Sequence, residues 1–210
     1  MRNTLLKLSV FFVGMFIFTS CIVTKHYVGQ IIKKEDLDNT TKKSVVVTVS
    51  DNVDLRDFKK TFEKNYKDND GFVSSYLGEF TYELQKSKLF SNVDKKGVNS
   101  FERLKDQTAV DYIIDVPFFE VNNRVEVTQR ASGNPNFGGM QTTSTEYCVI
   151  NVKVVVYDVK KKKRIVEFLS TGESAVFLFD FKNTFNQAKE RSMYHIINYL
   201  KTGKTEYEKY

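Results

Sequence analysis

The chain has no tryptophan, two prolines, two histidines and two cysteines. The histidines, His26 and His195, and the cysteines, Cys21 and Cys148, stand far apart, and no Cys/His cluster has metal-ligand spacing. Neither a Gly-x-Ser-x-Gly elbow nor a phosphate-cradling glycine loop occurs, so two common catalytic signatures are missing. No apolar run reaches the roughly 20 residues of a spanning helix. The net charge of +6 is mild, and no basic motif is interleaved with aromatics, so nucleic acid is not an expected partner. No cofactor, no metal and no catalytic residue is expected.

What is present begins at the N-terminus. Arg2 and Lys7 give a positive start, Leu8 to Phe18 is an apolar run of signal-peptide length, and Thr19 and Ser20 are small residues before Cys21. This segment resembles a bacterial lipoprotein signal, with Phe18-Thr19-Ser20-Cys21 as the lipobox and Phe18 standing where leucine is commonest. The resemblance implies cleavage after Ser20, a diacylglyceryl group on the Cys21 thiol and an acyl chain on its freed amine. Several acyl chains together anchor stably, whereas one does so only marginally. An uncleaved anchor with an incidental cysteine is the competing reading. By the same analogy, Ile22 rather than aspartate after the cysteine argues against inner-membrane retention. The acid-free run Ile22 to Tyr27 favours an outer-membrane protein facing the periplasm over one on the surface.

Residues 1–20 are thus read as a signal peptide, 21–43 as a lipidated tether, 44–203 as one domain and 204–210 as a flexible tail. Ser44 to Ser50 (SVVVTVS) is a β-branched run suited to a strand covered on both faces. Phe58 and Phe62 hint at a short helix. Val73, Tyr76, Leu77, Phe80 and Leu84 share one helical face, with Asp70 as its expected cap. A short strand is expected over Leu89 to Val93. Asp111 to Val116 predicts a strand that Pro117 confines to an edge or a bend. It continues half-buried through Val121, Val125 and Val127, and Ala131 to Thr145 reads as a loop. Glu146 to Tyr157 and Ile165 to Thr171 predict an antiparallel pair. Phe181, Phe185, Ala188, Ser192, Ile196 and Leu200 predict a long helix, capped by Asp180 or Asn183 and ended by Gly203. The expected architecture is α+β: an antiparallel-rich mixed sheet of about five strands with two main helices packed on one face, a two-layer sandwich.

That order is similar to the small periplasmic lipoproteins related to the ABC-transport auxiliary lipoproteins, the LPS-assembly lipoprotein and the periplasmic domain of the curli-secretion lipoprotein. The carriers are SVVVTVS, LQKSKLFSNV, AVDYIIDVPFFEV and VINVKVVVYDVKKKKRIVEF, within residues 44 to 202. Asp158 keeps the acid of the group's turn, but Lys160 to Lys163 replace its Thr-Gly. The resemblance implies the fold above and a part in envelope transport or assembly.

Four features bear on function. Asp111 and Asp115 share a parity, as acid–base pairs can, yet without a histidine or an aromatic cleft they read as solvent-facing. Cys148, in the run Tyr147 to Ile150, reads as a small buried hydrophobe, with a reactive thiol as the sharper alternative. Lys160, Lys161, Lys162, Lys163 and Arg164 form a run of cations at a hairpin tip, either a solvated turn or a contact for anionic lipid or an acidic partner. The loop holding Asn134 and Phe137 is either a free connector or a docking loop. The expected protein is a non-catalytic, lipid-anchored accessory or assembly subunit of an envelope transport or biogenesis complex. It would be held on the outer membrane by its N-terminal lipid, meet an unidentified envelope protein, and have the possibility of forming oligomers. The alternatives are an oligomeric secretion-channel component and an envelope lipid- or glycan-binding or -processing protein.

Overall fold

The computed structural model describes residues 25–35, 37, 39–107, 109–131 and 140–206. Among them, seven strands form one sheet: β1 (Val28–Lys34), β2 (Ser44–Val49), β3 (Val53–Leu55), β4 (Asn92–Lys95), β5 (Tyr112–Ala131), β6 (Met140–Asp158) and β7 (Lys163–Ala175). Four helices accompany it: α1 (Lys59–Asn65), α2 (Asn69–Lys86), α3 (Phe101–Gln107) and α4 (Phe181–Thr202). The strand order is β1-β7-β6-β5-β2-β4, and β3 also pairs with β5. β2 runs parallel to β4 and β5, whereas β5, β6, β7 and β1 are antiparallel in turn. The sheet is therefore larger and more mixed than the five strands expected.

β2 explains the mixture. All of Val45 to Val49 is buried, so the strand is covered on both faces. One face meets the main core, where α2 and α4 lie with Phe72, Tyr76, Phe80, Phe185 and Ile196. On the other face, Val46 and Ile113 pack with Leu104 of α3, and Phe101 meets Tyr157 edge-on at 5.7 Å. The two main helices share a face as expected, but α3 adds a short third layer over β2 and β5.

Other expectations change as well. Residues 28–34, expected in the tether, form edge strand β1 on β7, and Thr205 accepts backbone hydrogen bonds from Tyr27 (3.1 Å) and Val28 (3.4 Å). The helix over Asn69–Lys86 is capped by Asp68, which accepts from the Gly71 N–H at 2.8 Å, rather than by Asp70. Of the edge or bend expected at Pro117, the edge is not found, and the bend corresponds to an irregularity inside β5. The register with β6 shifts between Asp115 and Phe118, and β2 gives way to β3 on the other flank at the same level. Proline's missing N–H therefore falls where no ladder bond is needed. Lastly, residues 140–145 belong to β6, pairing as far as Ala131 with Met140, so the expected 131–145 loop narrows to residues outside those described. Val125 and Val127 are exposed on this extended ribbon, not half-buried.

Helix α4 matches its pattern closely. Asp180 accepts from the Asn183 N–H at 3.1 Å, and Gly203 ends the helix at φ 67. It lies so close to β7 that a Cβ on Gly172 would sit 1.9 Å from the Ala188 carbonyl oxygen.

Candidate functional site

The sheet has two ends, and charge is arranged differently at each. At one, β6 turns into β7 and carries the five cations. Lys160 reaches Asp111 at 3.2 Å, Lys161 reaches Asp158 at 3.5 Å, Lys163 reaches Glu35 at 2.9 Å and Arg164 reaches Glu167 at 3.8 Å. Lys162, at φ 51, is exposed. Asp111 is the hub of this end. Its carboxylate accepts the Ser44 N–H at 3.0 Å, the Ser44 hydroxyl at 3.1 Å and Lys43 at 3.1 Å. The Ser44 N–H foremost, then Lys43 and Lys160, hold it well below the usual carboxylate range against the effect of burial.

Asp115, four residues farther along the chain and inside β5, is the opposite case. It is 8 % exposed, not solvent-facing as expected. Burial pushes its carboxyl up to about 7, Arg164 opposes the rise and Glu102 of α3 adds to it. The two aspartates thus share a parity and differ in environment, one ringed by donors and the other desolvated.

At the other end, β7 runs into α4 through residues 176–180. Phe177, Leu178 and Phe179 are 74, 80 and 84 % exposed, the most exposed large apolar side chains among the described residues. Leu178 and Phe179 have φ 48 and 62, and Phe58 at the start of α1 has φ 60. The left-handed region costs a bulky L-residue about 1–2 kcal/mol. At Leu178 and Phe179 local conformational energy is therefore spent on holding large apolar groups in solvent, whereas Phe58 is partly buried against the main core.

Phe58, Phe179 and Phe181 line a surface cleft of about 790 Å³ between α1 and this loop. Phe181 contacts both Phe58 (6.0 Å) and Phe179 (6.5 Å). Lys59, Lys60, Lys64 and Lys182 border the same cleft, and none of the four takes part in an ion pair among the described residues. Arg56 at its rim is engaged by Asp54 (2.8 Å) and Glu120 (2.6 Å). The start of the described chain lies at this end too. Lys25 pairs with Glu173 at 2.9 Å, and Arg124 joins the same carboxylate at 3.1 Å while stacking 4.1 Å from the Tyr147 ring centre.

The residues singled out from sequence are thus dispersed. Cys21, Asn134 and Phe137 lie outside the described residues, and Lys160 to Arg164 sit at the end opposite Lys25. Cys148 is fully buried in the main core, where burial pushes its thiol up to about 12. His195 is buried against Tyr27, with ring centres 4.5 Å apart, and its Nδ1–H donates to the Thr171 carbonyl at 2.8 Å. Burial pulls its imidazole down, against the pull of that carbonyl. The phenylalanine loop was missed. Its signal is the run Val176-Phe177-Leu178-Phe179 between a strand and the Asp180 cap, in a place where neither element needs apolar side chains.

No family model matches this chain, and no curated protein matches it in sequence. Among solved structures, it is similar to a PelC dodecamer from Paraburkholderia phytofirmans, at 12 % identity and TM-score 0.39, covering 79 % of this chain and 98 % of that one. It is also similar to a putative neuraminyllactose-binding hemagglutinin homolog from Helicobacter pylori, at 14 % identity and TM-score 0.38, covering 86 % and 94 %. A third is the hypothetical protein CT253 from Chlamydia trachomatis, at 10 % identity and TM-score 0.40, covering 75 % and 98 %.

Proposed function

We propose that this chain is a lipid-anchored envelope protein, held on the outer membrane and facing the periplasm. In this reading it acts as a non-catalytic accessory or assembly subunit of a transport or biogenesis complex. The observation that carries the reading is the leader ending at Cys21, followed within four residues by Lys25, where the folded domain is already tied to Glu173. So short a spacer keeps the domain against the membrane. Confinement to a surface raises its effective concentration near membrane partners without any new contact. Three of the polar residues that could serve chemistry support the non-catalytic side of the reading. Cys148 and His195 are packed into the fold, and Asp111 is engaged on several sides.

The test is made in cells. Wild type should incorporate a palmitate analogue, lose residues 1–20 and resist extraction from membranes by alkaline carbonate. Cys21→Ser should do none of these. Unchanged maturation and membrane retention of that variant would refute the anchor.

One observation favours the oligomeric alternative. β5 and β6 run on together beyond Val121 and Tyr147, where β3 and β7 stop pairing with them, and Val125 and Val127 are exposed there. A two-stranded ribbon is marginal by itself in water. A second copy would complete it, and native mass of the detergent-extracted protein distinguishes a monomer from a ring.

A further inference from the structure

We infer that the Phe177–Phe179 loop, flanked by Lys59, Lys60, Lys64 and Lys182, docks on the phosphate headgroups of the bilayer that holds the chain's own N-terminus. The inference rests on the anchored reading above and adds which end of the domain meets the lipid. Three independent observations converge on it.

The first is reach. Lys25 is four residues from Cys21, and a chain extends at most about 3.6 Å per residue, so an anchor there is held within about 14 Å of Lys25. Lys25 pairs with Glu173, two residues before the end of β7 and four before Phe177. The anchor, the end of β7 and the phenylalanine loop therefore share one end of the sheet, the end from which the β5–β6 ribbon also runs on.

The second is chemistry. The cleft is bordered by five cations (Arg56 and the four lysines) against three carboxylates (Asp57, Glu146 and Asp180). Large apolar side chains beside such a net positive border suit the bilayer boundary, where rings enter the acyl region and ammonium groups stay among phosphates. The four lysines take part in no ion pair among the described residues, so docking breaks no existing pair. The third is conformation. Left-handed Leu178 and Phe179 hold the loop in an outward shape that water alone does not favour.

The same geometry turns the basic hairpin away. Glu173 pairs with Val149, and Asp158 lies nine residues farther along β6. At about 3.3 Å per residue the Lys160–Arg164 tip is about 30 Å from the anchored end. It would face the compartment and not the bilayer.

Because the chain has no tryptophan, one substitution reports on the loop alone. The lipidated protein carrying Phe179→Trp is purified in detergent and reconstituted into phosphatidylethanolamine/phosphatidylglycerol vesicles. Mass spectrometry of that sample shows its acyl chains, so a failed anchor is recognised separately from a failed docking. The emission should shift to the blue and be quenched by brominated acyl chains. Tyr82→Trp on exposed α2 should show neither change. In a second measurement, serine at 177, 178 and 179 together should speed transfer of the lipidated protein to acceptor vesicles at least about tenfold, with its melting curve unchanged. A water-like, unquenched tryptophan at 179, or an unaltered transfer rate, overturns the proposal.

Discussion

The two cationic regions of this molecule look alike in composition and differ in what their charges do. In the β6–β7 turn, four of five cations lie against carboxylates, and Asp111 ties the turn to the start of β2. Around the phenylalanine cleft, four lysines drawn from α1 and α4 lie outside any described ion pair. A run of like charges in sequence is thus neutralised in space, while lysines more than a hundred positions apart assemble into the open positive face. A run marks a turn that the fold must discharge, whereas scattered charges that converge and stay open are available to a ligand.

The sheet and α4 form the frame between the two ends, and the largest expected effect comes from breaking that frame. Gly172→Val would push α4 off β7, since even a Cβ meets the Ala188 carbonyl oxygen. A loss of about 3 kcal/mol or more is expected in urea unfolding, or no folded protein. Next is the pH response. The folded Asp115 carboxyl lies at about 7, above the roughly 4 of an unfolded chain, so the native state binds the extra proton between these values. Stability from this group is complete below about pH 4 and is lost as pH rises through about 7, a fall on the order of 4 kcal/mol. Asp115→Asn should flatten that slope in melting curves taken at pH 5 and pH 8. A parallel slope in the variant would mean that some other group is responsible.

Asp111→Asn probes the discharged turn directly. It removes the charged acceptor of the Ser44 N–H, Lys43 and Lys160, and about 1–3 kcal/mol should be lost in denaturant midpoints. The opposite region should answer differently. Replacing Lys59, Lys60 and Lys64 by glutamine should change stability by no more than about 0.5 kcal/mol, because no ion pair is removed. The same triple change should weaken the salt-sensitive part of vesicle association. Equal stability losses for Asp111→Asn and the lysine triple would erase the distinction between the two regions.

Much of the frame was legible in the sequence. Val45 to Val49 announced a doubly covered strand, and Phe185, Ala188, Ser192, Ile196 and Leu200 announced α4 with both its ends. β1 was not legible because an edge strand buries little: of VGQIIKK only Val28 is fully buried. α3 was missed for a related reason, since Leu104 is its one deeply buried apolar anchor and a seven-residue helix shows barely two turns of periodicity. The cation run was visible, but its discharge was not. Glu35 and Asp111, which receive Lys163 and Lys160, come from distant parts of the chain. The open face was invisible for the converse reason, because Lys182 joins Lys59, Lys60 and Lys64 only through the packing of α1 near α4.

β1 has a mechanical consequence. It is the first described strand after Cys21, and it pairs with β7 in antiparallel register. If the chain is anchored at Cys21 as proposed, a load applied at the far hairpin and resisted at that anchor would pull β1 along its own axis. Bonds loaded in shear share the force and yield together, whereas bonds loaded in peel open one at a time. The edge strand would thus serve as a tensile joint, letting a partner tug on the domain without unzipping it from its mooring.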